Sequence, residues 1–388
     1  SGRSLLGSIA VDRVHIRASA VNDGGAAVAV GVGDGSSIDT GAGNDVINIG
    51  AHARGDTTHA WAMRRSQINS GIGNDRVTLT ATTGAANFDP AYVMTDSTLN
   101  LDSGNDVVQL KAHASGTAPS SVIGAYGALN STINSGTDHD RISILASAYN
   151  RNGDAEAIGL GQASSVVTGT GDDVVTINAN AKGHATNAWA MRSSTLNTGS
   201  GRDVVTLTSH TTSGALDPAY GMEDSSIELE SGNNILNIGA QAMGDTTSTV
   251  AAFGAKTSGI NTGADNDLLK IKANAAITTN PRCGQSTAGL LHEIGAAGDV
   301  ATGGSDGSAQ ILDQRSCDQI RTQLCRLLIL HKLPIAVVDK TDAIRPTVVD
   351  ALAQSTDLTD GHRRPPAVSA AALNQDHSNR LSKGLIQR

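Results

Sequence analysis

The sequence is constrained above all by a repeat. Gly41-Ala42-Gly43-Asn44-Asp45-Val46-Ile47-Asn48-Ile49 returns as Gly71-Ile72-Gly73-Asn74-Asp75-Arg76-Val77-Thr78-Leu79, and again around Asp106. The anchoring acid recurs at Asp140, Asp173, Asp203 and Asp267, with Asn234 in its place once. The spacing between successive anchors is nearly constant, and a partial copy at Asp12 precedes Asp45 by a similar step. A longer period overlies the short one. Asp12, Asp45, Asp75 and Asp106 recur at a single fixed offset as Asp140, Asp173, Asp203 and Asn234. At the same offset Ala60-Trp61-Ala62-Met63-Arg64 returns as Ala188-Trp189-Ala190-Met191-Arg192. A block of four units has been duplicated.

Fixed columns give the repeat its physical meaning. Serine stands nine residues before each anchor from Ser36 to Ser258, and Ile, Leu or Val stands seven before. Aliphatic residues return two and four after the anchor, and alanine six after in every copy but one, where it is Ser209. Alternation of period two is the signature of a strand. The Gly-rich turn between the first two strands of a unit has constant length, while the segment after the second strand varies. A third strand is expected at 60–63, 91–94, 188–191 and 219–222. One such unit cannot bury its apolar face alone, so units must stack. The fold expected is all-β: a right-handed parallel β-helix of about eight coils of about 31 residues, some 40 Å long at the spacing of stacked strands. A propeller blade needs roughly 40–45 residues, and helical repeats need better helix formers than Gly, Thr, Asn and Val.

Composition agrees. The 388 residues include 44 Gly but only 2 Trp, 4 Tyr and 2 Phe, too few aromatics for two ordinary globular cores. A net charge of -9 disfavours nucleic acid as a partner. No run of about 18 apolar residues suggests a membrane span. Charge and cysteine usage divide the chain: residues 1–280 carry -10 and no Cys, whereas 281–388 carry +1 and all three, Cys283, Cys317 and Cys325. The repeat domain is accordingly placed at 1–279 and a non-repeat tail at 280–388. For the tail, a cap, a linker and a frameshifted read are all open. Apolar spacing in 311–330 suggests one amphipathic helix, and the tail is expected to be poorly ordered or partly helical.

The turn Gly41-Ala42-Gly43-Asn44-Asp45, with Gly71-Ile72-Gly73-Asn74-Asp75, Gly169-Thr170-Gly171-Asp172-Asp173 and Gly199-Ser200-Gly201-Arg202-Asp203, resembles the RTX (haemolysin-type) calcium-binding nonapeptide, Gly-Gly-x-Gly-x-Asp-x-apolar-x. The resemblance implies Ca²⁺ between stacked turns, held by carboxylates and backbone carbonyls of the glycines, in keeping with a hard cation that takes 6–8 oxygens. Carried over, the ligand candidates are Asp45, Asp75, Asp106, Asp140, Asp173, Asp203 and Asp267, with Gly41, Gly43, Gly71, Gly73, Gly169 and Gly171. The sequence departs from that family in several ways. It has one motif per coil where that family runs two back to back, and the first Gly is replaced by Thr40, Ser70, Thr168 or Thr198. Asn234 removes a carboxylate, and Arg202 sets a cation beside Asp203. The same residues also read as turn formers, since Asp and Asn bond nearby backbone amides.

Trp61, Tyr92, Trp189 and Tyr220 share one column of the third strand, as core or groove lining or as a platform for sugar rings. Nearly every carboxylate falls in a repeat column, so no separate acid–base pair of the kind a glycosidase needs stands out. The functional expectation is a calcium-binding structural or adhesive β-solenoid module, extracellular or at a cell surface. Opening at Ser1 in mid-pattern, it is read as part of a longer chain, with polysaccharide or a cell surface as partner. A polysaccharide-active β-helix lyase or hydrolase and a metal-free scaffold are the alternatives.

Overall fold

The structure is a computed structural model and describes residues 4–6, 10–88, 90–117, 119, 121–244, 249–277, 292–295 and 308–310. Among them there is no helix, and so none long and apolar enough to cross a membrane. The chain winds into a parallel β-solenoid of about eight coils, as the repeat predicts. Two sheets run along its length. One holds ten short strands, three residues each, such as Gln67–Asn69, Thr98–Asn100 and Thr132–Asn134. The other holds fourteen longer strands, such as Val46–Arg64 and Val174–Arg192.

Register repeats the sequence columns residue for residue. Ile38 pairs with Ile68, Ile68 with Leu99, Leu99 with Ile133 and Ile133 with Val166 along the short sheet. The alanine column runs Ala18, Ala51, Ala81, Ala112, Ala146, Ala179, Ser209, Ala240 and Ala273 through the long sheet. These columns point inward and are almost wholly buried from the second coil on, save Ala273 at the far end, which is partly buried. Small and β-branched side chains suffice because the interior is one residue layer deep on each side.

The expected third strand is present, but in several coils it is not a separate element. Arg13–Gly33, Val46–Arg64, Val174–Arg192 and Val204–Glu223 continue through the variable segment as single long strands. Elsewhere a break separates Val107–Gly116 from Val122–Leu129, and Arg141–Asn150 from Asp154–Gly161. Register shifts at Asn22/Ala26, Gly55/Thr57 and Gly183/Ala185 absorb the length differences, as bulges do. At the far end, Leu268–Ile277 pairs antiparallel with His292–Gly295, and Gly259–Asn261 with Ser308–Gln310. The rest of the tail, with Cys283, Cys317, Cys325 and the helix expected in 311–330, lies outside the described residues.

Two corners fix each coil. Before the short strand, one residue takes a left-handed conformation: Arg65, Asp96, Asn130, Ser193, Asp224 and Thr257 all have φ between 47 and 49°. The serine that follows closes this corner. Ser97, Ser131, Ser225 and Ser258 donate Oγ–H to the carbonyl two residues back. Their Oγ atoms accept the backbone N–H of the serine one coil earlier. The second corner is the Gly-x-Gly-x-Asp turn. There Gly73 has φ 144°, and a Cβ on it would overlap the carbonyl oxygen of Gly43 in the coil before. Gly73→Ala is therefore expected to destabilise the protein by ~3 kcal/mol or more. At the other corner, Thr257 is β-branched and disfavoured at positive φ. Thr257→Gly should stabilise by about 1 kcal/mol. Thermal melts of the two variants, moving in opposite directions, check both.

Candidate functional site

The seven candidate aspartates lie in one line along the solenoid, each at the end of the glycine turn and immediately before a long strand. This position explains their use. The anchor's own N–H points along the axis, before the strand ladder begins, and needs an acceptor in the next coil. The neighbouring carboxylate supplies it. Asp45 N donates to Asp75 Oδ1 at 2.7 Å, Asp75 N to Asp106 Oδ1 at 2.7 Å, and Asp106 N to Asp140 Oδ1 at 2.9 Å. The line continues through Asp173, Asp203 and Asn234 to Asp267. Asp45 to Asp203 are fully buried and Asp267, in the last full coil, half-buried. One residue earlier a second ladder runs the opposite way on the surface. Asn74 N donates to Asn44 Oδ1, Asn105 N to Asn74 Oδ1, and Asp172 N to His139 Nδ1.

The second carboxylate oxygen is the chemically open one. Oδ2 of Asp45, Asp75, Asp106, Asp140, Asp173 and Asp203 is buried without a hydrogen-bond partner. Asn234 shows what stands opposite it: its Nδ2 lies 3.3 Å from Leu229 O and 3.4 Å from Thr262 O. The position therefore looks toward backbone carbonyls, where a donor is welcome and a bare negative charge is not. Burial raises the pKa of Asp75 and Asp173 and raises Asp106 to about 8, Asp140 to about 7 and Asp203 to about 6. The hydroxyls of Ser70, Ser135, Thr168 and Thr198, five residues before their anchors, stand beside four of these carboxyls and counter the rise in part. None of them closes a well-formed hydrogen bond to Oδ2. Asp106 has Leu101 at that place, and Asn234 has Leu229. Where the hydroxyl is lost, the acid is either the most strongly perturbed of the column or already an amide.

The fit to Ca²⁺ can be judged from this geometry. Calcium takes 6–8 oxygens at 2.3–2.6 Å. The anchor of each coil offers one carboxyl with one oxygen already accepting an amide, and Asp102, Asp138 and Asp172 place further carboxylates near these anchors. Among the described residues no three His, Cys, Asp or Glu side chains converge, so a cation here would draw most of its oxygens from backbone carbonyls. Gly41, Gly43, Gly71, Gly73, Gly169 and Gly171 all take positive φ and lie in two axial columns. Amides of this turn meet carbonyls of the next coil, as Gly43 N does with Ile72 O and Gly171 N with Ser200 O. Of the anchor carboxyl's two oxygens, Oδ1 is engaged by an amide and Oδ2 has no hydrogen-bond partner.

The aromatic column is the other feature. In register it reads Val30, Trp61, Tyr92, Tyr126, Ile158, Trp189, Tyr220 and Phe253. The rings stack on one another: Trp61 on Tyr92 at 5.5 Å, Tyr92 on Tyr126 at 4.9 Å, Trp189 on Tyr220 at 5.3 Å and Tyr220 on Phe253 at 4.9 Å, all within 15° of parallel. Ring faces thus cover each other and only edges face outward, which is unsuited to a flat platform for sugar rings. Arg64 lies over Trp61 and Arg192 over Trp189.

Compared with known proteins, the chain matches no family model, no curated protein and no solved structure.

The acid column sets a pH dependence. A carboxyl whose pKa is higher in the folded than in the unfolded chain, where aspartate lies near 3.9, stabilises the fold fully below that unfolded value. Its contribution is lost as pH rises through the folded value. The loss therefore runs from about pH 4, the unfolded value, to about pH 8, the highest of the folded values of about 6 to 8. The melting temperature should fall across that range. Asp106→Asn, which installs the residue that Asn234 already carries, should flatten the fall and raise stability at pH 8.

Proposed function

We propose that this chain is a structural β-solenoid module, a stiff spacer held together by axial hydrogen-bond ladders and independent of bound metal. The observation that carries this reading is the buried carboxyl line, in which each Oδ1 accepts the anchor amide of the preceding coil. A carboxyl engaged in this way serves the backbone of its own chain. Its unpartnered Oδ2, facing carbonyls in a dry interior, is suited to a proton. Such a rod presents its outer face along many coils, which suits display or adhesion at a cell surface or outside the cell. The absence of Cys from residues 1–280 leaves the repeat indifferent to redox conditions. The competing reading, in which Ca²⁺ takes the Oδ2 positions and orders the turns, differs in one measurable way. Circular dichroism and thermal melts of the whole chain in chelator, in millimolar Mg²⁺ and in millimolar Ca²⁺ separate the two. The expected result is the same β signal and a melting temperature within about 1 °C in all three, since a ligand must bind the native state to stabilise it. A calcium-specific rise of several degrees, or folding only when calcium is added, would return the aspartates to the role of ligands.

A further inference from the structure

The internal duplication supplies its own comparison, and the two halves differ at one place on the outer face. In the second half, Glu223 sits at the centre of a closed cluster. Its carboxylate accepts from Trp189 Nε1 at 2.7 Å and from Lys256 Nζ at 2.8 Å, and Arg192 Nε stands 3.9 Å away. In the matching coil of the first half, Trp61 and Arg64 keep the places of Trp189 and Arg192. The glutamate, however, is Thr95, and the residue in register with it in the next coil is Leu129 where the second half has Lys256. A carboxylate and a cation have been exchanged together for a short hydroxyl and an apolar chain.

The exchange leaves both space and unmet hydrogen-bonding groups. A cleft of about 390 Å³ opens here, lined by Trp61, Arg64, Tyr92, Thr95, Leu129 and Glu156 among others. Arg64 Nε and Thr95 Oγ1 are buried without a partner, although the other end of the same guanidinium is paired through Nη2 with Asp34 at 2.7 Å. A buried donor left unsatisfied is unfavourable. The cleft is within the size range of small-molecule sites.

We propose that this cleft binds a neutral sugar carrying an acetamido group, an N-acetylhexosamine, whose carbonyl oxygen takes the place that Glu223 Oε2 holds in the other half. The carbonyl approaches Trp61 and the Arg64 guanidinium, which line the cleft. The acetamido methyl lies against Leu129, which stands where the second half has a cation. Hydroxyl groups of the ring donate to Glu156, which already accepts from Tyr126 OH at 2.8 Å, and to Asp96, which accepts from Asn130 at 2.6 Å. A free carboxylate is the poorer ligand, because Arg64 and Arg65 are already paired with Asp34, Asp96 and Glu156 line the cleft, and the compensating lysine is gone. The site is on the outer face and does not depend on whether the aspartate line holds protons or metal, so the two proposals fail separately.

Ligand-observed saturation-transfer NMR on the whole chain tests this, with N-acetylglucosamine, glucose and glucuronate as probes. Transfer should reach the acetamido methyl with a Kd on the order of 1 mM, and glucose and glucuronate should bind at least about tenfold more weakly. The double variant Thr95→Glu/Leu129→Lys rebuilds the closed cluster of the second half and should keep the melting temperature while abolishing transfer. Thr95→Gln, which fills the same space without charge, should abolish it too. No transfer from N-acetylglucosamine to the natural sequence, equal binding of glucose or glucuronate, or binding that survives in either folded variant would overturn the proposal.

Discussion

Everything in this solenoid depends on satisfying one amide per coil. At the glycine turn the chain changes direction before the long strand begins, and the anchor N–H is left pointing along the axis in a dry interior. A buried amide cannot be left unpaired without a penalty comparable to a lost hydrogen bond. The acceptor has to come from the next coil, at the spacing of stacked strands, from a short side chain at the same place in the turn. Aspartate and asparagine meet all three conditions, and Asp45 to Asp267 with Asn234 form that line. The requirement then propagates. A turn of constant length keeps the acceptor in register, the glycines let successive turns approach closely, and the serine line repeats the same solution at the opposite corner.

The solution carries a tension. The acceptor is an acid, and it is buried. One oxygen gains an amide, while the other faces the carbonyls that flank Asn234 Nδ2 in the amide copy. On the metal-free reading we propose, a proton relieves this, because it adds no ligand requirement and makes the acid a close mimic of the amide. The residue five places earlier tunes the balance: a hydroxyl where the acid is retained at Asp75, Asp140, Asp173 and Asp203, and leucine beside Asp106 and Asn234. Asp106, with leucine, is pushed highest, to about 8. Neighbouring carboxylates add to the effect of burial at Asp75, Asp106, Asp140 and Asp203.

Much of this was legible in the sequence. The coil length, the inward columns, the serine line and the duplication all follow from spacing, because in a solenoid each column is a single repeated environment. The continuous long strands were less legible. Val46–Arg64 and Val174–Arg192 carry Gly, Asp, His and Asn in mid-strand, which read as loop, yet pairing with neighbouring coils on both sides keeps them extended. The role of the aspartates was ambiguous for a physical reason. A tight glycine turn ending in an acid serves a calcium site and a hydrogen-bond ladder equally well, and only the direction of the carboxyl distinguishes them. The hydroxyl column was visible as Thr40, Ser70, Ser135, Thr168, Thr198 and Thr262, but its meaning required knowing that it faces the acids. The Glu223 cluster left a sequence signal as well, since Thr95 breaks the match between the two duplicated blocks among neighbours that are kept.

That break bears on where function lies. Inner columns change seldom, as at Ser209 and Leu101, because each residue is packed against its counterparts above and below, and a change must suit two neighbours at once. Outer columns are released from that rule wherever a group can reach solvent. The aromatic column sits between these limits. It is outside the core, yet its rings stack on one another and shield each other's faces, so its members are held nearly as tightly as the interior. Beside it, the exchange of Glu223 and Lys256 for Thr95 and Leu129 keeps the net charge and the strand register while removing the side chains that fill the space. A change made only for stability would be expected to leave no buried donor unpaired, yet Arg64 Nε is left so. In a rod whose interior repeats with few changes, a place where the two copies differ, and where the difference opens a cleft beside an unmet donor, is where we propose a ligand binds.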